Sequence, residues 1–327
     1  MNRVLTRDAL VKLAREWQES AVFLTACRLD VFSYLKDYMS SKELAESLGI
    51  KERYIERLLN TLVILGLVEK AGGKYKNTSV SDIYLDKNSD SYLLGLKHSA
   101  HMLYYWSFLY DVIKIGKPAK NFSYVKPVEN WTEDFISAME QYATERAPEL
   151  VKMLDLSGAG RMLDLGGGSG ANAVEIAKNY PEIEVVIFDL PGVIPMAKKF
   201  ISQKGNFNNI CFMEGDYLAD NIGKDYGAIL LSQIIHAHGK EDVIRVLSKC
   251  RKALKRGGRI YIHDFLIDED RTSPPSSVFF SLNMLVHTEE GDTYTLREVK
   301  EFLDMSGFTF LDHKRTTKGS DVVIAKS

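Results

Sequence analysis

The sequence predicts an α/β protein: a Rossmann-like sheet of seven strands, mostly parallel and closed by an antiparallel hairpin, preceded by a helical winged-helix module. Three observations lead there. Short apolar strands alternate with helices after Arg161, a glycine-rich LDLGGGSG run sits at the first strand-to-helix turn, and a capped helix pair with a Gly-Gly hairpin lies within the first hundred residues. The 327 residues, 45% hydrophobic and 26% charged, suffice for about two domains. Composition and pattern divide them into a winged helix over 1–90, a helical linker that also lines a pocket over 91–150, and the sheet domain over 151–327.

From the N-terminus, Leu10, Leu13, Trp17, Ala21 and Leu24 recur at helical spacing, so residues 5–35 read as an amphipathic helix entering a core. Ser40 and Glu43 have capping-box spacing ahead of a helix that Gly49 can end, and ERYIERLLNTLVILG forms a second helix ending at Gly66. Gly72 and Gly73 then turn a short hairpin, which completes a winged helix. A DNA-binding use needs an excess of Lys and Arg. Lys51, Arg53 and Arg57 are instead offset by Glu52 and Glu56, and the whole chain carries a net charge of −2, which points to self-association rather than to nucleic acid. Residues 92–115 are helical and aromatic, with His98, His101, Tyr105 and Trp106 packing between domains. A helix from Trp131, with Asn130 and Glu133 in capping positions, carries Phe135, Ala138, Met139 and Tyr142 on one stripe.

The N-terminus lacks the apolar run of a signal peptide, and the most apolar stretch, residues 58–68, is too short to span a bilayer. Cys27, Cys211 and Cys250 are odd in number and contain no Cys-x-x-Cys pair, so neither a disulfide framework nor a thiolate zinc site is indicated and a reducing cytoplasm is the expected compartment.

The strands after Arg161 are RMLDLG, EVVIFDL, NICFMEG, AILLSQI and RIYIHDFL, followed by TFLDHKRT and DVVIAKS as the closing hairpin. Gly166, Gly168 and Gly170 let the backbone approach a ligand that a Cβ would exclude. Taken alone this loop also fits a dinucleotide fingerprint, and Asp189 at the end of the second strand suits a ribose hydroxyl in either case. Asp164 before the loop, Asp216 in GDY after the third strand, and the closing hairpin separate the two readings.

With these residues in view, the chain resembles the S-adenosylmethionine-dependent O-methyltransferases of the caffeate, hydroxyindole and acetylserotonin group over nearly its whole length. LDLGGGSG, FDLPGV, EGDY, IIH, ALKRGGRIYIHDF and SGF occur in that family's order and spacing. The resemblance implies a homodimer formed through the N-terminal domain and S-adenosylmethionine as the cofactor. Gly166 and Gly168 would pass the methionine part, Asp189 the ribose, and Leu190, Asp216 and Tyr217 the adenine. Ser232 falls where some members use a lysine. His236 matches the family's catalytic base and Asp264 the acid that holds its other nitrogen; an imidazole suits both tasks near neutral pH. No metal is expected.

Three positions depart from the family pattern: Ala237 and His238 follow the histidine where an acid and a tryptophan are usual, and Thr293 stands where a second acid is usual. They keep open a proximity-driven transfer to carbon or nitrogen, or a ligand-sensing regulator with a degenerate site. Phe135, Met139, Phe279, Phe280, Asn283, Met284 and His287 supply the apolar and aromatic surface for a small aromatic or conjugated acceptor.

Overall fold

In a computed structural model, which describes residues 5–327, the expected capping box is in place. Ser40 Oγ accepts the Glu43 N–H at 3.2 Å and the Glu43 carboxylate accepts the Ser40 N–H at 2.7 Å. Helix Ser41–Leu48 ends at Gly49 in the left-handed region, and helix Glu52–Ile64 follows. Strands β1 (Met39–Ser40), β2 (Val68–Ala71) and β3 (Lys74–Asn77) form a small sheet in the order β1-β3-β2. Gly72 and Gly73, with φ of 57° and 78°, make the two-residue turn whose twist matches its strands. Phe32, Leu35, Leu44, Ile55, Leu59, Leu62 and Tyr75 fill the core of this unit, which extends to Tyr104.

The first segment differs from expectation. Residues 5–35 form two helices, Arg7–Leu13 and Trp17–Arg28, because the Arg15 and Glu16 N–H groups both turn back onto Lys12 O at 2.9 and 3.1 Å. Leu10, Leu13 and Trp17 are more than half exposed, and burial begins only at Ala26 and Cys27. The stripe is apolar, but the single chain leaves it to solvent. No helix among the described residues is long and apolar enough to cross a membrane.

The second unit, Tyr105–Ser327, is built on β4 (Arg161–Leu165), β5 (Glu184–Asp189), β6 (Ile210–Glu214), β7 (Tyr226–Ser232), β8 (Leu254–Asp264), β9 (Thr309–Arg315) and β10 (Asp321–Lys326). Their order is β6-β5-β4-β7-β8-β10-β9, with β10 antiparallel to both neighbours and the other pairs parallel. Strand period sorts the side chains onto two faces. Leu163, Leu165, Phe188, Leu231 and Ile262 face helices Lys240–Ala253 and Leu296–Met305. Met162, Ile187, Leu230 and Tyr261 face helices Trp131–Met153, Ala171–Asn179 and Ile194–Lys204.

Asn130 precedes helix Trp131–Met153 but does not cap it through its side chain: at φ 58° it is left-handed, whereas side-chain capping needs extended backbone. Strand β8 begins at Leu254, earlier than the sequence pattern indicates, and its register with β7 shifts between Tyr226 and Ala228. At that shift a Cβ on Gly227 would collide with the backbone of Ala159. Gly227→Ala should therefore lower stability by about 1–3 kcal/mol, read as an earlier midpoint in a urea melt. An unchanged midpoint would mean that the Ala159 turn yields freely.

Candidate active site

Strand β4 lies between β5 and β7, and the chain leaves it in opposite directions, so a crevice opens at the carboxyl ends of these strands. The glycine loop lines it. The Gly166 N–H donates to Phe188 O at 2.8 Å, which ties the loop to β5. Gly166, Gly168 and Gly170 all have left-handed φ, but their surroundings differ. A Cβ on Gly166 would strike Ile234 and one on Gly170 would strike Ile201, whereas a Cβ on Gly168 would meet nothing within 4 Å. The left-handed backbone favours glycine at all three positions, and isoleucine side chains crowd two of them while Gly168 leaves an open cradle.

Asp189 reaches back to this loop. Its carboxylate accepts the Gly168 N–H at 2.8 Å and the Leu190 N–H at 2.7 Å. Burial pushes its pKa up and the two hydrogen bonds oppose that shift. Leu190 beside it is half exposed. Beneath the loop Asp164 is fully buried, neither carboxylate oxygen has a partner, and burial together with Asp189 pushes its pKa up to about 7.

After β6, Asp216 Oδ1 accepts the Leu218 N–H at 2.8 Å, and the Tyr217 hydroxyl and His238 Nε2 share a hydrogen bond at 2.7 Å. Burial raises the Tyr217 pKa and lowers that of His238, so both are neutral near pH 7. Lys249, on helix Lys240–Ala253, donates to the carbonyls of Tyr217, Leu218 and Asp220, each at 2.9 Å. Ser232, at the end of β7, pairs with His263 Nδ1 at 2.9 Å, and His263 Nε2 meets Ser320 Oγ at 2.8 Å. With both nitrogens engaged in a buried position, His263 is pushed down to about 4.

His236 follows β7 in a short 3₁₀ turn and presents Nδ1 to Asp264 Oδ1 at 2.7 Å. Asp264 is buried at the end of β8, and its Oδ1 also accepts the Phe265 N–H at 2.8 Å. The Asp264 carboxylate takes the Nδ1–H, which leaves the Nε2 lone pair of His236 free to accept a proton. The Phe280 ring stands edge-on to the imidazole at 4.8 Å. Thr293, the position of the absent acid, is fully buried and its hydroxyl reaches Ser277 O at 3.3 Å.

The remaining expected acceptor residues form a second aromatic group. Asn283 Oδ1 accepts the Trp106 indole N–H at 2.8 Å, and Asn283 O meets His287 Nδ1 at 3.0 Å. The His287 ring stacks on Trp131 at 5.9 Å, and Trp131 stacks on Phe135 at 6.5 Å. Met284 is buried and Met139 half-buried, but Phe279 is 66% exposed and is not a lining residue, because one helical step turns it away from Phe280. Sequence reasoning missed the Tyr217–His238 pair and the approach of Arg146 to the Tyr142 and Phe265 rings. The only available signal for Arg146 was its four-residue spacing from Tyr142 on the apolar stripe. Among the described residues no three His, Cys, Asp or Glu side chains gather to hold a metal ion.

Comparison with known proteins shows the family to which the chain belongs. Residues 11–87 match the O-methyltransferase dimerisation domain and residues 108–309 the O-methyltransferase domain. The chain is 32% identical to the acetylserotonin O-methyltransferase of Gallus gallus over 94% of its length and 93% of that protein. It is 31% identical to the 3-hydroxy-5-methyl-1-naphthoate 3-O-methyltransferase of Streptomyces sahachiroi over 81% of this chain and 78% of that protein. Human N-acetylserotonin methyltransferase, solved in complex with SAM, superposes with a TM-score of 0.83, covering 100% of this chain and 99% of that one at 28% identity.

The raised pKa of Asp164 has a thermodynamic sign. The folded chain keeps a proton that the unfolded chain releases near pH 4, so stability falls as pH rises from there to about 7. His263 acts oppositely over much of the same window, so the test compares variants. Asp164→Asn should gain stability relative to the parent between pH 5 and pH 8, by on the order of 2–4 kcal/mol, in melts of the ligand-free protein. A difference that does not change with pH would refute the assignment.

Proposed function

We propose that this chain, which belongs to the S-adenosylmethionine-dependent O-methyltransferase family, transfers a methyl group to a hydroxyl of a small aromatic or conjugated molecule, with His236 as the general base and Asp264 orienting it. The carrying observation is the 2.7 Å contact between His236 Nδ1 and the buried Asp264 carboxylate, which leaves Nε2 as an acceptor beside the Phe280 ring. His238 is not the base in this reading, since its Nε2 is already engaged with the Tyr217 hydroxyl.

The crevice fits the cofactor. Gly168 leaves room for its methionine part beside Gly166. Asp189, with two hydrogen bonds already accepted, keeps lone pairs for the ribose hydroxyls. Leu190, Asp216 and Tyr217 flank the adenine end, and Ser232 stands at the edge of the methionine part. When bound, S-adenosylmethionine supplies the methyl group on a sulfonium, a leaving group that needs no further activation. The protein's task is then to align the acceptor oxygen and remove its proton. His236 takes the hydroxyl proton at Nε2, and Asp264 stabilises the imidazolium that results.

The aromatic lining of Phe280, Trp131, Phe135 and His287, with Met139 and Met284, suits a planar acceptor. Acetylserotonin and 3-hydroxy-5-methyl-1-naphthoate, the acceptors named for two relatives, favour such a molecule. The exposed stripe of Leu10, Leu13 and Trp17 at the start of the dimerisation domain supports a homodimer. Three free cysteines suit work in the cytoplasm.

His236→Gln should lower kcat by about 100-fold or more while the Kd for S-adenosylhomocysteine stays within about threefold, and Asp264→Asn should lower kcat by about 10-fold or more. A His236→Gln rate within a few-fold of the parent would instead favour proximity-driven transfer. Calorimetric titration should show S-adenosylhomocysteine binding that Asp189→Ala weakens by about 10-fold or more, and no binding of NADH.

A further inference from the structure

Arg146 stands on helix Trp131–Met153 with its guanidinium carbon 5.2 Å from the Phe265 ring and 5.7 Å from the Tyr142 ring. Among the described residues it forms no ion pair and no side-chain hydrogen bond, so five N–H donors are left without an acceptor. Burial pulls its pKa down, and the field of neighbouring Glu145, which forms no ion pair with it, opposes that shift. An arginine placed only for packing would extend its head group to solvent. Arg146 instead places its guanidinium over two rings, with its N–H groups unspent.

Its neighbours belong to the reaction centre. Phe265 follows Asp264 directly and packs against Phe280 at 5.0 Å, and Phe280 packs against His236 at 4.8 Å. The guanidinium therefore lies two rings from the imidazole, among the aromatic side chains assigned to the acceptor. We infer that Arg146 binds a carboxylate in this site, and that the carboxylate belongs to the methyl acceptor, which is then a hydroxylated aromatic acid. A planar carboxylate matches the fork with two parallel hydrogen bonds, which a neutral phenol cannot provide. The assignment to the acceptor rests on the methyl-transfer reading. The methionine end of S-adenosylmethionine carries the same chemical group, and the experiment separates the two sources.

The protein saturated with S-adenosylhomocysteine is titrated with 3-hydroxy-2-naphthoate, 6-hydroxy-2-naphthoate and 2-naphthol, as parent, Arg146→Gln and Arg146→Lys. At least one acid should bind the parent about 10-fold more tightly than 2-naphthol, an advantage lost in Arg146→Gln and partly restored in Arg146→Lys. The Kd for S-adenosylhomocysteine, which also reports an intact fold, should stay within about threefold across the three proteins. A 10-fold weaker S-adenosylhomocysteine complex in Arg146→Gln, with the acids unaffected, would keep Arg146 as a carboxylate-binding group but overturn its placement on the acceptor. No effect on either ligand class would overturn the inference. A parent protein that fails to bind S-adenosylhomocysteine would overturn the methyl-transfer reading and the acceptor placement with it.

Discussion

Burial of the central strands on both faces is the constraint on which the second unit depends. Strands β4, β5, β7 and β8 have helices above and below, so their middle positions admit only side chains that need no water. Polar chemistry is confined to the carboxyl ends, where Gly166, Asp189, Ser232 and Asp264 emerge. Side-chain parity then decides which polar groups can meet. His263 and Asp264 are adjacent in sequence but point to opposite faces, one toward Ser320 and the other toward His236.

That confinement gives the crevice its electrostatic character. Asp189 lies close enough to disfavour ionisation of Asp164, and Asp164 has no hydrogen-bond donor to offset its desolvation. Asp189 differs because the backbone supplies two donors. A crevice of this kind favours a cationic ligand, and a sulfonium with its ammonium group brings two positive charges.

Much of this was legible in the chain itself. The capping box at Ser40, the turn at Gly72–Gly73, the strand alternation after Arg161 and the histidine at the end of β7 are local patterns, and each follows from contacts a few residues apart. What was not legible depends on separated segments. The stripe of Leu10, Leu13 and Trp17 has the periodicity of a buried face, yet whether it is buried depends on what covers it, which periodicity does not encode. The Tyr217–His238 hydrogen bond joins residues 21 positions apart, and the solitude of Arg146 is defined by which side chains fail to reach it. Asn130 has the right residue type for a cap but the wrong backbone conformation.

The grip of Lys249 on the segment after β6 has an evolutionary side. Its ammonium holds three backbone carbonyls, at Tyr217, Leu218 and Asp220, and every amino acid carries a carbonyl. The anchor therefore reads chain path rather than side-chain identity. The lysine itself therefore sets no demand on which side chains stand at 217, 218 and 220. The burden of invariance shifts to a single lysine on a neighbouring helix.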